Sequence, residues 1–385
     1  MITKSDVRAA TLPLRTPLYD LHCERDARMV PFAGYEMPIQ YAPGILKEHL
    51  HTRALAGLFD ISHMGQIAVR SRSGTIQSAA LALERVVPVD VAGLMPNRQR
   101  YAFFTNGAGG ILDDLMIAHR GDSLLLVVNA ACKIADEHYL MAELGSDCIV
   151  EREERALIAL QGPRAESILA TLAPSCRQMR FMDVQSAMLL GHDCLLMRSG
   201  YSGEDGFEIS IPRDAARSIV ETLLDSPDVA LIGLGARDSL RLEAGLCLYG
   251  ADIGPDTTPV EAALEWAIQP VRRTGGARAG GFPGASIILH QLEHGAARRR
   301  VGFRAEGRAP VRAGALVFAE SDDQTPVGAV TSGGYGPTVE GPIAMGYLTT
   351  TASQPGTRVF AEVRGARLPL RVTELPFIRP RYKRI

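Results

Sequence analysis

Hydrophobic and polar residues follow two different periods along the first two thirds of this chain. Apolar residues at helical spacing predict helices, and we expect the first of them to end at Gly57. The predicted helices are 45–57, 74–87, 131–144 and 212–225. Strand-like alternation or short apolar runs predict β-strands between them. The predicted strands are 66–70, 101–105, 111–119, 123–129 and 156–161. Asn106–Gly107 marks a hairpin between two of these strands.

The pattern changes near residue 275, where the glycine-rich stretch TGGARAGGFPG interrupts any regular element. Residues 300–375 then contain at least five β-like segments separated by glycine turns, which is typical of a small barrel or sandwich. We therefore predict a large α+β part up to about residue 275 and a β-rich C-terminal domain from about residue 285.

Length and charge narrow the class of protein. A chain of 385 residues and 41.5 kDa fits two or three domains. The 41 basic and 43 acidic residues give a net charge of −2, which argues against a general nucleic-acid binder. Few lysines are available for Schiff-base or P-loop chemistry. They are Lys4, Lys47, Lys133 and Lys383.

Cysteine spacing and hydropathy predict the compartment. The six cysteines are scattered without a C-x-x-C pair, as in a reduced protein. The N-terminal MITKSDVRAATLPLR has no apolar core of a signal peptide, and the longest aliphatic run, 124–128, is far below the ~20 residues of a membrane span. We expect a soluble cytoplasmic protein.

His290 and His294, one helical turn apart, lack a third ligand and are expected on an exposed helix face rather than at a metal.

Two adjacent acids interrupt an apolar strand at Asp113 and Asp114. Alternation places them on opposite faces, and a carboxylate there is costly unless it is paired or hydrogen-bonded. An edge strand with one wet face would explain them, and so would a carboxylate positioned in a pocket. Both interpretations remain open from composition alone.

Further candidate chemistry lies in SGYSGEDGFE (199–208) and in the helix that follows GLGARD (233–238). Glu208 begins a strand, where its carboxylate could accept two parallel hydrogen bonds from an amidine-like ligand edge. Arg237 and Arg241 share a helix face, although two exposed arginines balanced by Asp238 and Glu243 would give the same pattern. GLGARD lacks the third glycine of a dinucleotide-binding fingerprint, so NAD binding is not predicted.

Taken together, these stretches resemble the glycine cleavage system T protein family of tetrahydrofolate-dependent aminomethyltransferases. The matching motifs run in order along nearly the whole chain. They include MVPFAGYEMPIQY (29–41), GLFDISHMG (57–65), GGILDDLMI (109–117), VVNAAC (127–132), ALQGP (159–163), SGYSGEDGFE (199–208), GLGARDSLRLEAGLCLYG (233–250), GAVTSGGYGPT (328–338), IAMGYL (343–348) and LPFIRPRYKR (375–384).

The resemblance implies an α+β, three-part, cloverleaf-like folate-binding fold. Its folate-binding region, two intertwined α+β subdomains, would span 16–275, and a C-terminal β-barrel would span 285–378. The implied reaction moves the methylene of an aminomethyl group from the lipoyl thiol of H protein to tetrahydrofolate. Ammonia, 5,10-methylenetetrahydrofolate and dihydrolipoyl H protein are the products. Lipoylated H protein and tetrahydrofolate are the expected partners, without metal, NAD, flavin, nucleic acid or membrane.

The resemblance also assigns site residues. Asp114 matches the essential aspartate, expected to orient the folate near N5 and N10 and to offset developing positive charge. Glu208 matches the carboxylate that grips the pterin edge. The other implied folate-binding residues are Met64, Tyr101, Asn129, Tyr201, Arg237, Trp266, Tyr382 and Arg384. Trp266, the only tryptophan, could equally be a core residue.

One departure and two alternatives remain. Some relatives carry a Tyr–Tyr pair where this chain has Phe181–Met182, which leaves the details of that pocket wall open. A folate-dependent demethylase of the same superfamily would keep the pterin pocket without needing H protein. A non-catalytic folate-binding factor would keep the pocket alone, and the presence of Asp114 speaks against it.

Overall fold

Two open sheets, a closed barrel and a two-stranded ribbon organise residues 12–384, the part of the chain that the computed structural model describes. The helices are α1 (Tyr19–Glu24), α2 (Ile45–Ala54), α3 (Ile76–Leu83), α4 (Lys133–Leu144), α5 (Ala165–Leu172), α6 (Ala216–Leu224), α7 (Leu234–Glu243) and α8 (Ala285–His294). The first thirteen strands are β1 (Arg28–Phe32), β2 (Tyr35–Gln40), β3 (Ala56–Asp60), β4 (Gly65–Ser71), β5 (Gln99–Thr105), β6 (Ile111–His119), β7 (Leu124–Val128), β8 (Cys148–Arg152), β9 (Arg155–Gln161), β10 (Val184–Leu189), β11 (His192–Met197), β12 (Gly206–Pro212) and β13 (Val229–Leu231). The remaining six are β14 (Arg298–Ala305), β15 (Leu316–Phe318), β16 (Gly328–Gly336), β17 (Gly341–Thr349), β18 (Arg358–Val363) and β19 (Ala366–Thr373).

The five-stranded sheet has the order β5-β6-β7-β4-β8, and the six-stranded sheet has the order β10-β11-β12-β9-β3-β13. The predicted hairpin is confirmed, since β5 and β6 pair antiparallel and the Asn106 side chain accepts backbone N–H bonds inside the turn. Strand β6 lies between β5 and β7, so the edge-strand explanation of its two acids is wrong. One apolar cluster joins both sheets and α7 through Phe59, Val127 and Leu240.

The C-terminal strands close into a barrel in the order β14-β17-β16-β15-β18-β19, which confirms the predicted α+β class with a C-terminal barrel. The sixth strand, β19, is not among the five segments recognised in the sequence. It contains Pro369, and proline normally argues against a strand because it cannot donate to the ladder. The domain boundaries 16–275 and 285–378 stay predictions.

The first predicted helix ends earlier than expected. Helix α2 stops at Ala54, and Gly57 lies inside buried β3. A Cβ built on Gly57 would meet Thr52 Oγ1 at 2.4 Å and Ile232 Cγ1 at 2.7 Å. This glycine therefore permits close packing of strand against helix rather than terminating the helix.

Candidate active site

A cavity of about 1420 Å³ lies where the two open sheets, α7, the barrel and the C-terminal tail meet. All ten site residues predicted from the sequence line it. They are Met64, Tyr101, Asp114, Asn129, Tyr201, Glu208, Arg237, Trp266, Tyr382 and Arg384. The fold thus brings together side chains that are up to 320 positions apart, from Met64 to Arg384.

Asp114 projects into this cavity from the interior strand β6. Its Oδ2 accepts a hydrogen bond from the hydroxyl of Tyr101 at 3.0 Å, and its Oδ1 accepts one from Nδ2 of Asn129 at 2.8 Å. Burial and the neighbouring charge of Asp113 raise the pKa of Asp114 to about 7, and the two donors oppose that rise. A carboxyl group with this pKa changes its charge near neutral pH, which suits a group that takes part in chemistry.

Glu208 faces the same cavity from β12, a strand held on both sides by β11 and β9. Ser199 Oγ donates to its Oε2 at 2.9 Å. Burial raises the pKa of Glu208, while the charge of Arg237 and the Ser199 bond act against that rise. The Arg237 guanidinium lies 4.8 Å from the centre of the Tyr201 ring, and burial lowers its pKa. This wall of the cavity therefore presents the Glu208 carboxylate as a hydrogen-bond acceptor, together with the buried guanidinium of Arg237.

The interpretation of Arg237 and Arg241 as two exposed arginines is wrong. Arg241 is only 3% exposed and bonds Asp252 Oδ2 at 2.7 Å and Ser332 Oγ at 2.9 Å. Because Ser332 lies on β16, Arg241 ties α7 to the barrel and is held away from free solvent. Asp238 does contact Arg241, as expected, but Glu243 instead binds Arg53 of α2.

Aromatic rings form the more open part of the cavity. Trp266 is 62% exposed, so the alternative of a core tryptophan is wrong. Its ring stacks on Tyr101 with centroids 5.5 Å apart and an interplanar angle of 21°. Tyr382 stacks on Phe181 at 4.0 Å and 3°, and the Arg384 guanidinium lies 6.0 Å from the same Phe181 ring. The chain's Phe181 thus anchors the C-terminal tail against the cavity wall.

Sequence reasoning missed His63, which also lines the cavity. Its ring is 3% exposed and packs edgewise on Phe32, with centroids 5.6 Å apart. Its Nδ1 has no hydrogen-bond partner within residues 12–384, and burial lowers its pKa to about 4. The only local signal was its position directly before Met64, and a lone histidine in an apolar setting does not by itself indicate a ligand-facing role.

The described residues form neither a metal-binding cluster nor a membrane-spanning helix. Across the described residues, no group of three His, Cys, Asp or Glu side chains is arranged to hold a metal ion. His290 and His294 are both exposed on α8, where their rings stack at 4.3 Å, as expected for a helix face. No helix within residues 12–384 is both long and apolar enough to cross a membrane.

The chain and its fold are similar to known proteins. The family profile described as "GCVT N-terminal domain" matches residues 18–272, and "Glycine cleavage T-protein C-terminal barrel domain" matches residues 298–378. A mitochondrial aminomethyltransferase of Dictyostelium discoideum is 41% identical, with 96% of this chain and 94% of the relative covered. A probable mitochondrial aminomethyltransferase of Schizosaccharomyces pombe is 43% identical over 98% of this chain and 96% of the relative.

A solved structure supports the same conclusion. The glycine cleavage system aminomethyltransferase T from Bartonella henselae superposes with a TM-score of 0.89 at 44% identity, covering 97% of this chain and all of that chain. This agreement confirms the expected fold class. The demethylase and the non-catalytic folate-binding factor are not favoured, because the matched relatives are named aminomethyltransferases.

The expected cytoplasmic location is wrong, because the similar aminomethyltransferases of Dictyostelium discoideum, Schizosaccharomyces pombe and Homo sapiens are mitochondrial proteins. Scattered cysteines without a C-x-x-C pair are typical of a reducing compartment, but they do not distinguish one reducing compartment from another. Residues 1–11 of the N-terminal stretch MITKSDVRAATLPLR lie outside the described residues.

Both profiles, the relatives over nearly their whole lengths and the shared fold agree with one another. The chain belongs to the glycine cleavage T protein family of aminomethyltransferases.

Proposed function

We propose that this chain transfers the methylene of an aminomethyl group, carried on the lipoyl thiol of an H protein, to tetrahydrofolate. The products are ammonia, 5,10-methylenetetrahydrofolate and dihydrolipoyl H protein. The observation that carries the proposal is the pairing of Asp114 and Glu208 in one cavity of about 1420 Å³. That volume accommodates a substrate of the size of a folate.

The chemistry of the Glu208 wall fits a pterin ring. A pterin offers a 2-amino group and a ring N–H side by side, which match the two oxygens of one carboxylate. Glu208 is 9% exposed, and within the described residues its carboxylate has Ser199 as its hydrogen-bonding neighbour. A buried acceptor gains most from a ligand that supplies donors, because its own hydration has already been lost. Burial raises the pKa of Glu208, and the charge of Arg237 opposes that rise and so favours the ionised carboxylate.

Asp114 is the proposed catalytic residue. The bonds from Tyr101 and Asn129 hold both of its oxygens in fixed directions, so little reorganisation is needed during transfer. In its ionised form the carboxylate offsets positive charge that develops near N5 and N10 of the folate. With a pKa of about 7, the same group can also accept a proton under physiological conditions.

The aromatic side of the cavity is the proposed place for the rest of the folate. Trp266 and Tyr382 present flat, partly exposed rings suited to stacking on an aminobenzoyl group. Arg384, near the end of the described tail, is the proposed partner for a glutamyl carboxylate, which a guanidinium binds through two parallel donors. Met64, which packs on the cluster between the sheets, supplies apolar surface near the pterin.

The reaction is tested by incubating the purified protein with tetrahydrofolate and aminomethylated H protein and measuring ammonia and 5,10-methylenetetrahydrofolate. We expect both products to form in equal amounts, and only when folate and H protein are both present. Methyl transfer from a small sulfur or oxygen compound without H protein would instead indicate the demethylase. Folate binding without turnover of any donor would indicate a non-catalytic factor.

A further inference from the structure

A second buried acid lies behind Asp114, on the far side of the strand. Asp113 is fully buried and accepts two bonds from Asn129, one from its backbone N–H to Oδ2 at 3.0 Å and one from Nδ2 to Oδ1 at 2.8 Å. The same Nδ2 of Asn129 donates to Oδ1 of Asp114 at 2.8 Å. One side-chain amide therefore bridges the two neighbouring aspartates.

Asp136 faces Asp113 from the first turn of α4, and the two carboxyl groups are in hydrogen-bonding contact. Asp136 is 4% exposed, and its Oδ2 has no donor among residues 12–384. Two ionised carboxylates cannot share a buried site, because each disfavours the charge of the other. A single proton on Asp136 explains both the contact between the two carboxyl groups and the Oδ2 that has no donor, since its O–H can then donate to Asp113.

The surroundings favour this placement of the proton. Burial raises the pKa of both acids. At Asp113 the hydrogen bonds from Asp136, Asn129 and Cys132 oppose that rise, whereas at Asp136 the charge of Asp113 adds to it. The titratable groups that face the pair from neighbouring elements are acids, thiols or phenols. They are Asp114, Cys132 and Tyr249.

We propose that Asp136 is a positioning residue for aminomethyl transfer: it keeps its proton, donates it to Asp113, and through Asp113 fixes the amide of Asn129 against Asp114. An ionised Asp113 can only accept, so it selects the orientation in which Asn129 presents its NH₂ group to both aspartates. Loss of the Asp136 donor weakens that selection and allows the amide to turn its oxygen toward Asp114. The inference rests on the proposed catalytic role of Asp114.

The proton itself is tested without any activity measurement. Infrared difference spectra between the wild-type chain and Asp136→Asn are recorded at about pH 8, where Asp114, with a pKa of about 7, is mostly ionised. They should show the carbonyl band of a protonated carboxylic acid in the wild type that the variant lacks. Identical spectra in that region would overturn the proposal, whatever the catalytic result. This readout needs no folate or H protein, so it is independent of the proposed function.

The positioning role is tested by turnover. Asp136→Ala should lower kcat about tenfold, equivalent to about 1.4 kcal/mol, while Asp136→Asn, whose amide can still donate to Asp113, should retain wild-type kcat. The double variant Asp136→Ala/Asn129→Ala should be no slower than Asn129→Ala alone, because both changes remove the same support. Additive losses, or equal losses in the Ala and Asn variants, would contradict the role.

If Asp136→Ala does not fold, the Asp136→Asn turnover and spectrum still decide the matter. If Asp114→Asn retains full transfer while the infrared band is present, the catalytic role of Asp114 has failed and the protonated pair has not.

Discussion

The phenolic hydroxyl of Tyr101 donates a hydrogen bond to Oδ2 of Asp114 at 3.0 Å. The two residues lie on neighbouring strands, where Tyr101 pairs with Met116 and Asp114 pairs with Phe103, so they are diagonal neighbours on one face of the sheet. The same tyrosine ring stacks on Trp266 at the open side of the cavity. Tyr101 thus joins the proposed catalytic acid to the aromatic wall that would hold the folate.

Replacing Tyr101 by Phe should shift the pH dependence of transfer. The hydroxyl favours the ionised form of Asp114, so its loss raises that pKa above about 7. If the carboxylate is the active form, the acidic limb of kcat against pH moves to higher pH by about one unit, the worth of one such bond. Tyr335→Phe, at an exposed site of the barrel, is the control and should leave the profile unchanged. If the pH dependence of kcat in Tyr101→Phe is the same as in the wild type, the ionisation of Asp114 does not control the rate.

Replacing Asp114 by Asn should abolish most transfer while leaving folate binding intact. We expect kcat to fall by about two decades or more, the usual worth of a positioned acid or base. Ammonia release gives the rate, and calorimetry with tetrahydrofolate gives the affinity. Asp322→Asn, in an exposed barrel loop, is the control. Wild-type turnover in Asp114→Asn would end the catalytic assignment.

The same variant should show a characteristic dependence of stability on pH. The folded-state pKa of Asp114, about 7, lies above the ordinary value of 3.8, so the folded protein holds this proton more tightly than the unfolded chain. The wild type therefore loses stability as pH rises from about 4 to about 7, and Asn at this position removes that loss. In denaturant unfolding, the free energy of unfolding of Asp114→Asn should rise relative to that of the wild type across this pH interval. Above the interval the difference between the two proteins should be constant. A difference independent of pH would show that Asp114 has no raised pKa.

Replacing Glu208 by Ala should weaken folate binding by about one to two decades, at about 1.4 kcal/mol per decade. The reason is the loss of a buried acceptor matched to the pterin edge. Glu208→Gln keeps the shape and one acceptor oxygen, so we expect an intermediate affinity. Glu221→Ala, in an exposed ion pair on α6, is the control. Calorimetry that finds unchanged affinity in Glu208→Ala would refute the pterin contact.

Replacing Glu243 by Gln should loosen the junction between α2, α7 and the barrel. Glu243 accepts bonds from Nη2 of Arg53 at 2.9 Å, Nε2 of His49 at 3.1 Å and the backbone N–H of Thr338 at 2.7 Å. We expect a loss of about 1–3 kcal/mol in the free energy of unfolding, because buried donors lose a charged acceptor. Glu151→Gln, in an exposed pair with Arg70, should change stability by less than about 0.5 kcal/mol.

The Glu243 junction also predicts the acid limb of stability. Burial opposes the charge of Glu243, but the bonds from His49, Thr338 and Arg53 outweigh it and lower the pKa to about 2. Its contribution is therefore complete above the ordinary value of 4.5 and disappears as pH falls toward 2. Unfolding free energies measured from pH 6 to pH 2 should show a steeper decline in the wild type than in Glu243→Gln. Parallel curves would contradict this assignment.

The local pattern of apolar and polar residues was sufficient to predict an element where buried positions recur at a simple period. Residues 111–119 were predicted as a strand with the bounds that the structure has, because one face of a sheet must be apolar. Local pattern failed at Gly57, whose role is set by contacts with Thr52 and Ile232. It also could not recognise β19, in which barrel closure overrides the unfavourable Pro369.

For this protein the sequence alone determined the α+β class, the C-terminal barrel, the family and the residue types of the candidate site, because ordered motifs and apolar periods are properties of the chain itself. Only the tertiary structure decided which acids are buried, which cations face them and which carboxyl groups have raised pKa values. Glu243 meets Arg53 across 190 positions, while Asp136 faces Asp113 from another element. Burial and the charge of the neighbouring groups, opposite for Glu243 and like for Asp136, set those states, and both depend on neighbours that are distant in sequence.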